Sequence, residues 1–208
     1  MSLLTRNAIL TTATVLIASG GWLSNSPMSG LHVTDPEGHN ISQFAPGNAR
    51  VVVLMFAATD CPISRRYIPE IARLQQEFFS QGVAFWWVFP NPDDTAAVVR
   101  KHELDFSIHS QTLIDTRQEL VRLTHVSVTP EAAVFAVNGA GLREVYHGRI
   151  DDRYLSFNQS RPAATHHDLE EAIKAVLTGH PVTPPDEGPV GCSIVPATLS
   201  NPHSNPQP

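Results

Sequence analysis

Two uninterrupted apolar segments, residues 50–58 and 83–89, constrain the fold of this chain more than any other feature. Both are rich in β-branched and aromatic residues, and neither alternates polar with apolar positions as a half-exposed strand does. A strand with this pattern is buried on both faces, as in a parallel sheet that helices cover on each side. The two segments therefore predict the centre of an α/β sheet.

Amphipathic segments follow both strands, as such a sheet requires. Apolar side chains at helical spacing predict a first helix from Pro62 with one buried stripe, made of Ile63, Tyr67, Ile71, Leu74 and Phe78. Two further helices are predicted over residues 96–104 and 116–123. A last helix is predicted from Thr165, whose hydroxyl would cap it, to Gly179.

The remaining strands complete the sheet. Residues 110–114 predict a third strand, and residues 131–137 and 142–147 flank a glycine-containing turn and predict an antiparallel hairpin. Residues 31–44 predict a short hairpin at the front of the domain. The expected fold class is therefore α/β, with a central mixed sheet and helices on both of its faces.

The two ends of the chain differ from its middle. Residues 1–30 have a basic start, an uncharged apolar stretch and then small residues, which is the layout of a secretory signal peptide. An uncleaved, membrane-anchoring start is the alternative. Prolines concentrate after residue 180 and predict an extended tail. We therefore expect a leader (1–30), one domain (31–180) and a Pro-rich tail (181–208), exported to an oxidising space such as the periplasm.

Charge and cysteine content argue against several classes of protein. The chain has 14 Lys and Arg against 20 Asp and Glu, a net charge of -6, which argues against nucleic acid as a partner. Its two cysteines are too few for a disulfide-dense scaffold or for a four-cysteine metal site within one chain.

Cys61 is the residue best placed for chemistry. It falls between the first strand and the first helix, and Pro62 suits the first helical position because its missing N–H would be unpaired there. Free backbone N–H groups and the helix dipole then favour the thiolate and lower the pKa of the thiol. Arg65 and Arg66 would add to this effect and Asp60 would oppose it. A buried, inert cysteine at a strand end is the alternative.

The order of these elements resembles a known family. A buried strand ending in Phe56-Ala-Ala-Thr-Asp-Cys-Pro-Ile-Ser64, a long helix with Pro69 inside it and a later Val128-Thr-Pro-Glu131 are similar to the thioredoxin fold. The nearest branch is the redoxins of the alkyl hydroperoxide reductase and thiol-specific antioxidant type. The resemblance, over roughly residues 31–179, implies a three-layer α/β/α sandwich. It also implies a cis Thr129–Pro130 bond facing Cys61, with the Thr129 backbone free to pair with an extended peptide substrate. An ordinary turn is the alternative for this pair.

The chain departs from the family at several positions. Thioredoxins use Cys-x-x-Cys, whereas Ser64 stands at the second cysteine position here. Peroxiredoxins carry a proline and a threonine before their cysteine where this chain has Leu54 and Ala58, which argues against a typical peroxide pocket. A single thiol cannot release itself from a mixed disulfide, so Cys61 needs a second thiol from elsewhere.

Cys192, in the tail, is the only internal candidate for that second thiol. Two cysteines in an exported protein are usually paired, and a long loop costs only slightly more to close than a short one. Three interpretations stay open: a reversible catalytic disulfide, a permanent structural one, and two unconnected or metal-binding thiols.

Copper binding is the alternative from a different class. Copper-delivery proteins of cytochrome oxidase assembly share this fold and use two cysteines and a histidine. Soft ligands for copper would here come from Cys61 and Cys192 with one of the histidines His125, His147, His166 or His167. The two cysteines of those proteins lie in one short motif, which this chain lacks.

The sequence thus predicts an exported antioxidant redoxin that performs thiol–disulfide exchange. Cys61 would be the nucleophile, Cys192 the resolving cysteine, and Thr129 with Pro130 the platform on the substrate side. Its partners would be a dithiol electron donor or a protein disulfide, with peroxide as an alternative substrate. The reaction requires no cofactor, and a membrane would be a partner only if the leader is retained.

Overall fold

The four predicted helices and the predicted strands of the central sheet occur in the expected order. A computed structural model describes residues 28, 30–139 and 141–197, so the predicted leader lies almost wholly outside the described residues. Along the chain the elements are β1 Val51–Phe56, α1 Pro62–Phe78, β2 Val83–Phe89, α2 Ala96–Phe106, β3 Gln111–Ile114, α3 Glu119–Thr124, β4 Val128–Thr129, β5 Glu131–Asn138, β6 Gly141–Gly148, β7 Tyr154–Ser156, β8 Gln159–Ser160, α4 Asp168–Thr178 and β9 Cys192–Ser193.

A mixed sheet of five strands forms the centre, in the order β3-β2-β1-β5-β6. β1 and β2 are parallel, as are β2 and β3, while β5 runs antiparallel to both β1 and β6. All six residues of β1 are buried, because this strand lies in the middle of the sheet with both faces covered. The mixed sheet expected from the two apolar segments and the antiparallel hairpin is confirmed.

Two apolar clusters cover the two faces of the sheet. One face packs against α1, α2 and α4, and all five residues of the predicted α1 stripe are buried there. The other face packs against α3 and the segment before β1, through residues such as Phe44 and Leu120. Helices therefore lie on both sides, although on the second side an irregular N-terminal segment provides much of the cover.

Two details of the prediction differ from the structure. The expected N-terminal hairpin is reduced to isolated bridges, of Thr34 with Asn40 and with Ile114. The last helix begins at Asp168 with His167 at the N-cap, so Thr165 is not its cap. The Thr165 hydroxyl instead donates to the carboxylate of Asp152, and the Thr165 N–H donates to the same carboxylate at 2.6 Å. Asp152 is buried in the loop after β6, so these two bonds hold Thr165 outside the first turn of the helix.

The topology brings three segments together at the end of the sheet where β1 and β2 terminate. β1 and β2 are parallel, so their carboxyl ends lie side by side, and Ala57 N–H bonds to the Val88 carbonyl just beyond β1. β5 is antiparallel to β1 and begins where β1 ends, with Glu131 opposite Phe56. The residues after β1, after β2 and before β5 therefore meet here. Within the described residues, no helix has the length and apolar character needed to cross a membrane.

Candidate functional site

Cys61 occupies the position that the sequence predicts, at the N-terminus of α1. It is the N-cap residue with extended backbone angles (φ -75°, ψ 116°), and Pro62 follows as the first helical residue. The first backbone bond of the helix runs from Arg65 N–H to the Cys61 carbonyl, at 3.2 Å. The side chain has only 1% of its surface exposed. The sulfur is thus next to unpaired helical N–H groups and shielded from solvent.

Cys61 and Cys192 form a disulfide bond. The Cα atoms are 6.1 Å apart, within the usual range for a disulfide, although 131 residues separate the two cysteines in sequence. Cys192 is partly buried, so it is the more accessible of the two half-cystines. Both cysteines of the chain are paired in this state, which is inconsistent with two unconnected thiols and leaves the catalytic and the structural interpretations open.

The Thr129–Pro130 peptide bond is cis, as the resemblance implies. The carbonyl oxygen of Thr129 lies 3.2 Å from the Cys61 sulfur, so this bond faces the cysteine directly. The Thr129 backbone is not free, however: β4 pairs with the tail strand β9 in antiparallel register, with Thr129 opposite Cys192. The expectation of an open peptide-binding edge is wrong for the disulfide form, because the chain's own tail occupies that edge.

Gly191 allows the tail to approach this closely. A Cβ atom added at this position would clash with the carbonyl oxygen of Thr129 and lie 2.7 Å from its carbonyl carbon. Non-bonded carbon atoms are at their optimal separation at about 3.5–4.0 Å, so a side chain here would push the tail away from β4. A glycine therefore precedes Cys192 because a larger residue would prevent the tail from pairing with β4.

Two side-chain amides bind the tail beyond β9. Val195 N–H donates to Asn91 Oδ1 at 2.9 Å, and Gln118 Nε2 donates to the Val195 carbonyl at 2.5 Å. Ala197 N–H donates to Gln118 Oε1 at 3.0 Å. Sequence reasoning missed both amides, since Asn91 lies in a Pro-Asn-Pro turn and Gln118 lies inside a predicted helix.

Two buried carboxylates brace the loops on either side of the sulfur. Asp94 accepts from the backbone N–H and the hydroxyl of Thr59, at 3.1 and 2.5 Å, and so fixes the loop before Cys61. Burial raises the pKa of Asp94, and the bonds from Thr59 partly oppose this. Glu131 accepts from the N–H groups of Ser127 and Val128, at 2.8 and 3.3 Å, and so fixes the loop before the cis bond.

The two arginines in the first turn of α1 point in different directions. Arg65 donates to the backbone carbonyl of Asp60 at 3.1 Å, so its guanidinium lies at the helix N-terminus. Arg66 instead points towards the Tyr154 hydroxyl, at 3.3 Å. Ser64, in the place of a second cysteine, is buried and accepts from Ala58 N–H at 3.4 Å. Its hydroxyl therefore ties the helix to the end of β1.

The histidines considered for copper do not group with the sulfurs. Among the described residues, one set of side chains has the spacing of metal ligands, and it consists of Glu70, His167 and Glu170. Arg73 already bonds to both of its carboxylates. The set contains neither cysteine, so the structure gives no geometric support to a copper site built on Cys61.

Comparison with known proteins gives a family match and several similar folds. Residues 27–146, more than half of the chain, match the sequence profile of the AhpC/TSA family. A hypothetical protein from Sinorhizobium meliloti 1021 is similar in fold, with a TM-score of 0.64 and 22% identity over 78% of this chain and 88% of that chain. An uncharacterized conserved protein from Geobacillus kaustophilus gives 0.65 and 26%, over 79% and 87%. No curated protein matches the sequence.

A third similar structure has a described activity. It is a secreted Mycobacterium tuberculosis disulfide oxidoreductase, with a TM-score of 0.50 and 12% identity over 75% of this chain and 99% of that chain. At this identity the likeness concerns the fold alone. The predicted thioredoxin-like α/β fold, with helices flanking a central mixed sheet, is thereby confirmed.

Proposed function

Because the chain belongs to the AhpC/TSA family, we propose that it is a thiol–disulfide oxidoreductase in which Cys61 is the nucleophile and Cys192 resolves the intermediate. Thr129 and Pro130 form the platform beside the reacting sulfurs. The observation that carries the proposal is the disulfide between a cysteine at a helix N-terminus and a cysteine in a tail strand held beside the cis bond.

The position of Cys61 suits a nucleophile. A thiolate at a helix N-terminus is stabilised by the unpaired N–H groups and the positive end of the dipole, and the Arg65 guanidinium lies at the same end. With Ser64 in place of a second cysteine, the resolving thiol has to come from outside the helix. Cys192 is already within bonding distance.

The reaction conserves atoms and electrons through two exchanges. The Cys61 thiolate attacks one sulfur of a substrate disulfide, forms a mixed disulfide and releases the other substrate sulfur as a thiolate. The Cys192 thiolate then attacks the Cys61 sulfur, closes the Cys61–Cys192 bond and releases the second substrate thiolate. Two electrons pass from the protein to the substrate, and the same steps in reverse oxidise a dithiol.

Regeneration requires a dithiol donor, and the two half-cystines differ in access. Cys61 is 1% exposed while Cys192 is partly exposed, so the donor thiolate would attack the Cys192 sulfur. Cys61 is then the leaving group, and a thiol with a lowered pKa leaves faster. The expected partner is therefore another dithiol protein.

Peroxide is a second candidate substrate, which the family match favours. In that reaction the Cys61 thiolate attacks a peroxide oxygen, the other oxygen leaves as hydroxide or alkoxide, and Cys61 becomes a sulfenic acid. Cys192 then attacks that sulfur and displaces hydroxide, which takes up a proton to form water, to give the same disulfide. Leu54 and Ala58 stand where peroxiredoxins have proline and threonine, so we expect this reaction to be the slower of the two.

Export is part of the proposal. The leader pattern of residues 1–30 supports it, and the secreted Mycobacterium tuberculosis protein of similar fold is compatible with it. A disulfide that forms and persists fits an oxidising compartment. N-terminal sequencing of protein from the native host tests the cleaved leader, and an intact Met1 contradicts it.

Mixed-disulfide trapping tests the catalytic roles. In the reduced Cys192→Ser protein, oxidised glutathione should accumulate as a mixed disulfide on Cys61, because the resolving thiol is missing. The wild-type protein should instead proceed to the intramolecular disulfide and release both glutathione thiols. Ser193→Ala, at the exposed neighbouring position in β9, is the matched control and should behave as wild type.

Two outcomes would contradict the proposal. A Cys61–Cys192 bond that dithiothreitol cannot reduce in the folded protein would make it a structural disulfide. A Cys61 thiol that reacts with iodoacetamide no faster than free cysteine would remove the nucleophile. Comparing turnover of hydrogen peroxide with that of a protein disulfide then decides between the two substrates.

A further inference from the structure

The tail passes from one apolar cluster to the other at the site. Val190 packs against the cluster that includes α1 and α4, whereas Ile194 packs against the cluster that includes α3. Cys192 lies between them and pairs with Thr129. The tail is thus held on both sides of its cysteine by contacts that do not involve sulfur.

Asn91 and Gln118 make the side-chain hydrogen bonds to the tail, and these two residues are called the amide clamp. Asn91 follows β2 and Gln118 precedes α3, so the clamp joins two loops at the site edge of the sheet. Their exposed fractions are 8% and 9%. Gln118 Nε2 also donates to the Pro90 carbonyl at 3.3 Å, which does not depend on the tail. Among the described residues, however, the amide oxygens of Asn91 and Gln118 accept from the tail alone, and a buried acceptor without a partner is costly.

The clamp recognises the backbone of the tail. It accepts from the N–H groups of Val195 and Ala197 and donates to the Val195 carbonyl. Backbone bonds at these positions fix the register of the strand rather than the identity of its side chains. Fixing Val195 also fixes where Cys192 lies, because only two residues separate them.

We propose that the amide clamp docks the tail independently of the disulfide and so returns Cys192 to its place beside Cys61 for the resolving step. Asn91 and Gln118 are then positioning residues for the resolving step. This inference rests on the proposed role of Cys192. An undocked tail would present its thiol at the ~mM effective concentration of a flexible segment, and docking raises that concentration.

The expected size follows from the bonds involved. A hydrogen bond in a protein contributes about 1 kcal/mol, or roughly fivefold in an equilibrium constant. Asn91 makes one bond to the tail and Gln118 makes two. Removing Asn91 alone should therefore lower the equilibrium constant for forming the Cys61–Cys192 bond about fivefold, and removing both amides should lower it at least tenfold.

Hydrogen exchange tests docking without any reference to activity. In full-length Cys61→Ser protein, where no disulfide can form, the amides of Val195 and Ala197 should stay protected. The added Asn91→Ala and Gln118→Ala changes should make them exchange at least tenfold faster. Asn138→Ala and Gln76→Ala, which remove exposed amides elsewhere, are the matched controls and should leave both amides protected. Exchange in Cys61→Ser at the rate of an unstructured peptide overturns the proposal.

Equilibration with glutathione tests the positioning role. In otherwise wild-type protein, the Asn91→Ala, Gln118→Ala pair should shift the Cys61–Cys192 equilibrium towards the dithiol about tenfold, equivalent to about 30 mV. The mixed disulfide on Cys61 should also persist longer. Urea unfolding of the reduced variants measures any general loss of stability, which would not by itself shift this equilibrium.

The two proposals fail in different ways. If the disulfide does not exchange with glutathione at all, the oxidoreductase function fails, and hydrogen exchange alone decides whether the clamp docks the tail. If the disulfide exchanges normally but the double variant keeps the wild-type equilibrium, the function stands and the positioning role is wrong.

Discussion

At the scale of single residues, the site depends on the positions of Cys61, Thr129 and Gly191. Cys61 lies at the helix N-terminus because the residues before it form a strand and the residues after it form a helix, and both elements can be recognised in the sequence. Gly191 and Thr129 are placed by each other, since their backbones approach too closely for any side chain at residue 191. The position of Cys61 at the helix N-terminus is thus a local feature, whereas the approach of Cys192 depends on the tertiary structure.

Gly191→Ala should weaken the hold on the tail. The added methyl group clashes with the Thr129 carbonyl, which is backbone and cannot rotate away. Forcing an extra methyl into a packed site costs typically 1–3 kcal/mol, so we expect the glutathione equilibrium to move about tenfold or more towards the dithiol. Gly188→Ala is the control, since a Cβ there meets nothing within 4 Å. Equal behaviour of the two variants would refute the steric argument.

At the scale of elements, the loop between β6 and α4 is organised by a buried carboxylate. Asp152 accepts from Thr165 N–H at 2.6 Å, from His166 N–H at 3.0 Å and from Arg161 at 2.8 Å. These bonds lower the pKa of Asp152, although burial opposes them. Thr165 therefore stabilises the loop before α4 rather than the first turn of the helix.

Asp152→Asn should reveal this role through pH. A lowered pKa in the folded state means that the ionised carboxylate stabilises the fold above about pH 3.9, its ordinary value, and loses that effect as pH falls further. At pH 7 the variant should lose roughly 1.5–3 kcal/mol of unfolding free energy, the range for hydrogen bonds to a charged group. Urea titrations at pH 7 and at pH 3 measure the difference in unfolding free energy between the wild-type protein and the variant. This difference should be smaller at pH 3. If the difference in unfolding free energy is the same at both pH values, the charge of Asp152 does not stabilise the fold. Asp186→Asn, at an exposed position in the tail, is the control.

At the scale of the whole molecule, one covalent bond joins the tail to a domain that has its own core. The two apolar clusters contain the sheet and all four helices, and the tail contributes only partly buried residues at their margins. The reduced protein should therefore remain folded. The disulfide then acts chiefly on the unfolded chain, by closing a loop of 131 residues.

Reduction of the disulfide should lower stability without unfolding the domain. The chain-entropy model gives about 4–5 kcal/mol for a loop of this length, an upper value because a reduced, unfolded chain that retains some structure gains less entropy than the model assumes. Thermal and urea unfolding with and without dithiothreitol measure the change. Cys192→Ser is the matched control and should not respond to the reductant. Loss of helical circular dichroism on reduction would mean that the domain depends on the bond.

Much of the fold and half of the site could be predicted from the sequence. The apolar runs of β1 and β2, the α1 stripe and the cysteine before Pro62 are local patterns. A strand buried on both faces is apolar at every position, and a helix buried on one face is apolar at every third or fourth position, so both can be recognised in the sequence. The cis Thr129–Pro130 bond was predicted through a family resemblance rather than from its own local signal. The amides of Asn91 and Gln118 gave no signal, because a side chain that bonds to a distant backbone is not marked by its neighbours in sequence.

The layered α/β architecture and the place of Cys61 at a helix N-terminus can thus be read from the order of residues, because they follow from hydrophobic periodicity and helix-end geometry. By contrast, the occupation of the edge beside Thr129 by the chain's own tail, with Cys192 bonded to Cys61, is visible only in the folded molecule. The tail takes this place because of contacts between residues far apart in the chain. Such contacts depend on shape and backbone hydrogen bonding at the folded surface, which no local pattern of residues encodes.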